Sequence, residues 1–351
     1  MIVTLFVNTI MLILAWLQGI KRLKNGLLFA FIILFIFLSL RYDFGNDYHG
    51  YMLGFKEINN VVTLNYFESE FHYEAAWVLL CRFFGPIGFF GMMGVLALFN
   101  CTIYYRFIKK YVSEKHYWLA VFVYVFNPGI MLTHSSAMRQ SIAIAFFVLA
   151  IDCIIERKLI LYLLLIGIAS LFHTSSIILL PFYLLTYQTS KLTLNRQIII
   201  MGVFTSLFLF SNSLGAFLNF IISTNFDQYE IYDEPLLLGS GLGLMALVYF
   251  FCLRLHFSQY QDVKNSILFK LSIGYFLFIP LGLILALMGR VSMYFDIANI
   301  AVFPLIYASF KKPAFKYFTL SLFIFITLYT FFGFFESEVF KTAFSVYKTI
   351  F

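Results

Sequence analysis

Long apolar runs separated by short polar or charged segments recur along the chain. A helix needs roughly 20 mainly apolar residues to cross a bilayer. The sequence therefore predicts an all-α, polytopic integral membrane protein in which residues 1–351 form a single transmembrane domain. We predict about twelve transmembrane helices, near residues 2–20, 27–40, 86–106, 117–133, 138–155, 159–172, 174–189, 197–216, 239–255, 267–288, 291–309 and 317–333.

The composition excludes a soluble domain. The chain is 62% hydrophobic and 12% charged, whereas soluble domains are about 45–50% apolar and about 25% charged. The net charge of +7 does not indicate nucleic-acid binding, because the basic residues lie in short clusters between apolar runs, as in cytoplasmic loops. The four cysteines are isolated, which is typical of buried small hydrophobic residues.

The distribution of Lys and Arg predicts that both termini lie outside the cytoplasm. Most of these residues, Arg254 among them, fall in the inner loops of this topology. The outer loops are predicted at about 41–85 and 217–238. The first contains a short apolar segment that we interpret as an interfacial helix with Trp77 near the headgroups. The second is acidic and aromatic, so it is either a sugar-contacting loop or a solvated connector.

Residues 134–176 are predicted to form a membrane hairpin. Two apolar runs are joined by the charged turn Glu156–Lys158, with a polar cluster around Arg139 before the first run. His173 interrupts the second run, which is long for one helix and short for two. If both runs cross the bilayer, Arg139 and His173 return to the same membrane face.

Three arginines, Arg41, Arg139 and Arg290, lie at the ends of predicted spans on the outer face. A guanidinium can bind phosphate through two parallel hydrogen bonds and stays protonated, so three of them could bind a lipid diphosphate. The alternative for each is that its side chain extends to the interface without a functional role. His173 could remove a proton from a hydroxyl or be bonded to a neighbouring helix, and His134 is a second candidate.

The segment RYDFGNDYHGY contains Asp43, Asp47 and Tyr51. The two carboxylates could form hydrogen bonds with sugar hydroxyls, pair with an arginine or bind a divalent cation. Two oxygen donors are too few for a metal site, so we favour the first two interpretations and predict neither a metal nor another cofactor.

Three motifs resemble those of the EpsG-like, Wzy-type bacterial polysaccharide polymerases. RYDFGNDYHGY is similar to their Arg-x-x-x-Gly-x-Asp-Tyr-x-x-Tyr pattern. SSAMRQSIAIAFF and IASLFHTSS resemble their Arg-Gln and Phe-His pair, and GRVSMYFDIANIAVFPL resembles their late Arg-x-x-x-Tyr-Phe motif. Glu74 also resembles a residue of the family. The motifs occur in the expected order between residue 41 and about residue 305.

The resemblance implies a GT-C-like glycosyltransferase of the bacterial inner membrane that makes O-antigen, capsule or exopolysaccharide. Such enzymes transfer a growing glycan from undecaprenyl diphosphate to a sugar hydroxyl of the next lipid-linked repeat unit, on the extracytoplasmic side. They use no nucleotide sugar and are thought to need no metal. A chain-length regulator and a flippase are candidate partners. We expect catalytic roles for His173, Arg139 and Arg290, and substrate-binding roles for Arg41, Asp43, Asp47, Tyr51, His134 and Tyr294.

Other membrane functions fit the sequence less well. A transporter or flippase of lipid-linked sugars usually has ionisable groups at mid-membrane and repeated halves, whereas here the cations lie at span ends. An O-antigen-ligase-like transferase shares the donor and differs in the acceptor, which the sequence does not reveal. An acyltransferase would need a cytosolic site, and a non-catalytic scaffold leaves the outer arginines unexplained.

Overall fold

The computed structural model describes residues 1–60, 73–187, 192–223, 241–282 and 286–351. The described residues are 82% helical and contain one two-stranded sheet. The helical fold class is therefore confirmed. The elements up to the middle of the chain are α1 (Ile2–Gly19), α2 (Gly26–Leu40), β1 (Arg41–Tyr42), α3 (Tyr48–Asn60), α4 (Ala75–Phe83), α5 (Phe89–Tyr111), a 3₁₀ turn (Glu114–His116), α6 (Tyr117–Val125), α7 (Pro128–Met131), α8 (Thr133–Ser136), α9 (Met138–Ile155) and α10 (Leu159–Phe172).

The second half of the chain is also almost entirely helical. Its elements are a 3₁₀ helix (Thr174–Tyr187), α11 (Leu194–Ser223), α12 (Gly241–Ser258), α13 (Val263–Gly282), α14 (Ala286–Asp296), α15 (Asn299–Ser309), α16 (Pro313–Glu336), α17 (Glu338–Lys341) and β2 (Lys348–Thr349).

Five helices of the described residues are long and apolar enough to cross a membrane, namely α1, α5, α9, α13 and α16. Two bent helix pairs raise the number to seven if each pair is one span. The first pair bends by 76° near Asn127 and Pro128, and the second by 52° between α14 and α15. Shorter apolar helices of 10–17 residues occupy the other predicted spans. The chain is thus a multi-pass membrane protein, and the number of twelve crossings stays a prediction.

The chain divides into two compact units. The first comprises residues 1–153, 158–180 and 327–351, and the second comprises residues 154–157 and 181–326. The predicted single transmembrane domain stays a prediction. Residues 61–72 of the first predicted outer loop, and residues 224–238 of the second, lie outside the described residues.

The first unit contains a core cluster rich in aromatic residues. Its members come from α3, α4, α5 and the start of α9 and from the segments that join them. Trp77 on α4 is fully buried in this cluster, and its ring lies 5.1 Å from that of Tyr51. Trp77 therefore contacts other side chains and not lipid, and its depth relative to the headgroups stays a prediction. The physical reason is that α3 and α10 both pack against α4 and cover it.

The same unit contains the small sheet. β2 pairs antiparallel with β1, so that Arg41 lies opposite Thr349 and Tyr42 opposite Lys348. The Tyr347 hydroxyl also donates to the carbonyl of Phe37 at 2.6 Å. Residues 347–349 thus fasten the segment that follows α2.

The second unit is formed mainly by α11 to α15. Helix α13 packs against α11, α12, α14 and α15. On α12, Arg254 is only 3% exposed. The assignment of Arg254 to an inner loop is wrong, because its guanidinium lies in a buried polar network instead.

Candidate active site

The Glu74 carboxylate joins two of the residues for which catalytic roles are predicted. Its Oε2 atom forms an ion pair with Nη1 of Arg139. Its Oε1 atom lies 3.4 Å from Nδ1 of His173. The three side chains are 16–25% exposed. Three ionisable groups from three separate segments therefore meet at one partly buried point, which we call the Glu74 cluster.

The local structure explains why these residues meet. Glu74 precedes the first residue of α4, Arg139 is the second residue of α9, and His173 directly follows α10 in extended backbone conformation. Helices α9 and α10 are joined by a short turn in which Arg157 has a φ of +58°. The start of α9 and the end of α10 therefore lie at the same end of the hairpin, as the sequence predicts for Arg139 and His173.

Apolar packing fixes both ends of this hairpin. Met138, next to Arg139, and Phe172, next to His173, belong to or pack against the aromatic core cluster. The rings of Phe146 and Phe172 are stacked with centroids 6.0 Å apart. Since the neighbours of Arg139 and His173 are held in the core, the two polar side chains have little freedom to separate.

Two tyrosines lie beneath the arginine. The Arg139 guanidinium is 5.0 Å from the ring centroid of Tyr73 and 5.9 Å from that of Tyr51. Such cation–π contacts favour the charged form and orient it. Burial raises the pKa of Tyr73 to about 12 and also raises the pKa of Tyr51, although the charge of Arg139 opposes both shifts. Both phenols are therefore neutral hydrogen-bond donors at physiological pH.

The Glu74 carboxylate is ionised at neutral pH. Burial acts to raise its pKa, but the hydrogen bond from His173 and the charge of Arg139 outweigh burial and lower the pKa below 4.5. An ionised carboxylate only accepts hydrogen bonds, so His173 donates through Nδ1. The lone pair of the neutral imidazole then lies on Nε2. That atom is buried and has no hydrogen-bond partner among the described residues.

Arg41 and His134 lie together but in the interior. They are 3% and 5% exposed. Nη2 of Arg41 donates to the carbonyl oxygen of His134 at 3.0 Å, and Nη1 donates to the carbonyl oxygen of Leu38. Nε2 of His134 lies 3.0 Å from the Tyr124 hydroxyl. Burial lowers the pKa of Arg41 to about 10, which leaves it charged at neutral pH. The predicted substrate-binding pair is therefore held by the protein's own groups.

The two aspartates lie at the start of α3 and in the loop before it. Asp43 has a φ of +51° and accepts from Nε2 of His49 at 2.8 Å, with Nζ of Lys348 at 4.0 Å. Asp47 is exposed, and its carbonyl accepts from the Tyr51 amide at 2.9 Å. In the described part of the chain, Asp43 thus pairs with His49 and Lys348 and not with an arginine. Among the described residues, no group of three or more His, Cys, Asp or Glu side chains could hold a metal ion.

Arg290 and Tyr294 lie on α14 in the second unit. Arg290 is exposed, whereas Tyr294 is fully buried. The convergence of Arg290 with Arg139 and His173 stays a prediction.

Sequence reasoning gave Glu74 no role beyond its resemblance to a family residue, and it missed Tyr73. The available signal was the position of Glu74, a carboxylate directly before a short apolar helix. A lone acidic residue in an outer segment is common, however, and its partners lie 65 and 99 residues away in the chain.

Comparisons with known proteins identify the family of the chain. No curated protein matches the chain, and no solved structure matches it. The model of the EpsG family, a family of Wzy-like polysaccharide polymerases, matches residues 25–349. The match covers nearly the whole chain, and the protein therefore belongs to the EpsG family.

Proposed function

We propose that this protein is a membrane glycosyltransferase that polymerises oligosaccharide repeat units carried on undecaprenyl diphosphate. Membership of a polysaccharide polymerase family supports the reaction class. The observation that carries the mechanism is the Glu74 cluster. It holds His173 beside a guanidinium, and the Nε2 atom of His173 has no hydrogen-bond partner in the described part of the chain.

The proposed reaction needs one base and one stabiliser of negative charge. The acceptor sugar hydroxyl attacks the anomeric carbon of the donor glycan, and its proton passes to Nε2 of His173. The bond between that carbon and the diphosphate oxygen breaks, and its electron pair leaves with the lipid diphosphate. Arginine side chains stabilise the charge that develops on the diphosphate. Glu74 orients the imidazole and stabilises its protonated form.

Arg139 is proposed to contact the diphosphate although it is paired with Glu74. One guanidinium has five N–H donors, so the ion pair with a single carboxylate leaves others for a phosphate. Its Nε atom is buried and has no hydrogen-bond partner among the described residues. Arg290 is the second proposed diphosphate contact. Arg41 and His134 are buried among the protein's own groups. We therefore propose that they stabilise the loop that contains Asp43 and Asp47 and do not contact substrate directly.

The cellular setting follows from the proposed substrates. We place the site on the extracytoplasmic face of the bacterial inner membrane, in a GT-C-like arrangement of about twelve transmembrane helices. A flippase would supply the lipid-linked repeat units, and a chain-length regulator would set the length of the product. The product is an O-antigen, a capsule or an exopolysaccharide.

The test is gel analysis of surface glycan in a deletion strain complemented with variants. We expect His173→Ala, Arg139→Ala and Arg290→Ala to leave a single capped repeat unit instead of a ladder, with normal amounts of protein in the membrane. His256→Ala is the matched control, because His256 is exposed on α12. Ladders of normal length from all three variants would contradict the mechanism. Loss of every glycan, including the single repeat, would indicate a flippase instead.

A further inference from the structure

A buried polar network joins four helices of the second unit, α12 to α15, at the break between α14 and α15. Nε of Arg254, on α12, donates to Oγ of Ser272 at 2.7 Å and to Oδ1 of Asn299 at 3.1 Å. Nη2 of Arg254 donates to the same Asn299 oxygen at 2.7 Å. Nδ2 of Asn299 donates to Oδ1 of Asp296 at 2.8 Å. Arg254, Ser272, Asn299 and Asp296 are each at most 6% exposed.

This network lies where a helix is interrupted. The axes of residues 288–296 and 299–309 differ by 52°. Asp296 is the last residue of α14 and Asn299 the first residue of α15, so one side chain from each side of the break takes part. A break in a membrane helix is tolerated only where neighbouring groups satisfy the polar groups around it. Arg254 and Ser272, from α12 and α13, both donate to the Asn299 side chain beside the break.

The charge of Arg254 also has a defined environment. Its remaining Nη1 atom donates to the carbonyl of Phe250 at 2.8 Å, and its guanidinium lies 4.4 Å from the ring centroid of Phe276. A buried charge is costly unless its hydrogen bonds are satisfied. A satisfied buried network can instead select one arrangement of the surrounding elements. We infer that the Arg254 network fixes the angle between α14 and α15.

The other end of α14 is constrained by a close approach of backbones. A Cβ atom added at Gly282, at the end of α13, would lie 3.0 Å from the Cα atom of Gly289. Gly289 directly precedes Arg290. Further along α14, the ring of Phe295 stacks on that of Phe278 with centroids 5.0 Å apart. Helix α14 is thus held against α13 at its beginning and fixed by the Arg254 network at its end.

We propose that Arg254 and Asn299 are positioning residues, which set the direction of α14 and thereby place the Arg290 guanidinium for the lipid diphosphate. This inference rests on the proposed function, in which Arg290 contacts the diphosphate. Loss of the network lets the bend between α14 and α15 relax and moves Arg290 away from the substrate. Arg254 and Asn299 themselves contact no substrate.

The activity test is a double-mutant cycle in nanodiscs with lipid-linked repeat units as substrate. We expect Asn299→Leu to lower kcat/KM by about tenfold to a hundredfold, as for a misplaced catalytic group. If Asn299 acts through Arg290, the variant with both Asn299→Leu and Arg290→Ala should match Arg290→Ala to within about twofold. Effects that multiply would overturn the inference. Ser309→Ala, an exposed serine of α15 bonded within its own helix, is the control.

A structural measurement separates this inference from the proposed function. Spin labels on Met288→Cys and Ala308→Cys, in a Cys252→Ser background, report the distance across the bend. We expect Asn299→Leu and Arg254→Leu to shift or broaden the distance distribution, and Ser309→Ala to leave it unchanged. An unchanged distribution in the first two variants would overturn the inference. An inactive wild-type protein would contradict the proposed function, while the distances would still decide whether the network sets the bend.

Discussion

The Oε1 atom of Glu74 lies 3.4 Å from Nδ1 of His173, although 99 residues separate the two in the chain. This contact determines which nitrogen of the imidazole carries the proton. Because Glu74 is ionised, Nδ1 is the donor and Nε2 keeps its lone pair. In the proposed mechanism, this contact orients His173 so that Nε2 acts as the base.

The first prediction concerns the charge of Glu74. Glu74→Gln keeps the shape of the side chain but removes its negative charge. The variant therefore no longer fixes the tautomer of His173 and no longer neutralises the charge of Arg139. We expect polymerisation to fall about tenfold to a hundredfold, as when a carboxylate that orients a functional histidine is lost. The measurement is kcat/KM with lipid-linked repeat units. Glu338→Gln, an exposed acid on α17, should have wild-type activity, and equal activity of the two variants would contradict the orienting role.

Replacing Arg139 by lysine tests the shape of the guanidinium. Arg139→Lys retains a positive charge for Glu74 but loses the planar fork and the stacking on Tyr73. We expect activity to fall by more than about tenfold, because lysine cannot form two parallel hydrogen bonds to a phosphate. The melting temperature in detergent should change less than in Arg139→Ala, which leaves the Glu74 carboxylate without a cation. Full activity of the lysine variant would show that charge alone suffices.

The depressed pKa of Glu74 predicts the direction of acid sensitivity. The unfolded chain binds a proton at this group near pH 4.5, and the folded chain does so only at lower pH. The ion pair with Arg139 therefore contributes its full stability above pH 4.5, and this contribution is lost as the pH falls through the folded-state pKa. We expect the difference in melting temperature between wild type and Glu74→Gln to shrink as the pH is lowered from 7 to 3. A difference in melting temperature that stays constant from pH 7 to pH 3 would contradict the lowered pKa of Glu74.

The fourth prediction concerns backbone geometry beside Arg41 and His134. Gly45 has a φ of +134°, and a Cβ atom there would lie 2.4 Å from the carbonyl oxygen of Ser135. We expect Gly45→Ala to destabilise the protein by about 1–3 kcal/mol, measured by thermal or denaturant unfolding in detergent. Gly50→Ala is the matched control, because Gly50 is helical and a Cβ atom there has no neighbour within 4 Å. Equal stability of the two variants would show that the loop of Gly45 can move away from the carbonyl oxygen of Ser135 at little cost.

Local features of the site were predictable, whereas its long-range contacts were not. The apolar runs predicted the helices, and the interruption at His173 predicted where α10 ends, because both depend on neighbouring residues. The pairing of Glu74 with Arg139 and His173 depends on how α4 packs against α10. The burial of Trp77 follows from the same packing. A short apolar segment looks alike whether lipid headgroups or other helices cover it, so its sequence could not distinguish the two.

The charged residues illustrate the same limit. Arg254 follows an apolar run, as an inner-loop arginine would, and its partners Ser272 and Asn299 lie 18 and 45 residues away. No spacing rule connects such residues. Arg41 likewise resembles an outer arginine available for phosphate, but its guanidinium is taken up by the carbonyl groups of Leu38 and His134.

The pairing of β1 with β2 has a consequence for biosynthesis. The Tyr347 hydroxyl and its partner carbonyl on Phe37 are 310 residues apart in the chain. At a translation rate of about 5–20 residues per second, β1 leaves the ribosome roughly 15–60 s before β2 exists. The backbone of Arg41 and Tyr42 therefore has no partner strand while most of the membrane helices are inserted. A polypeptide that stops before residue 348 lacks β2, so the β1 edge that β2 covers keeps no partner strand.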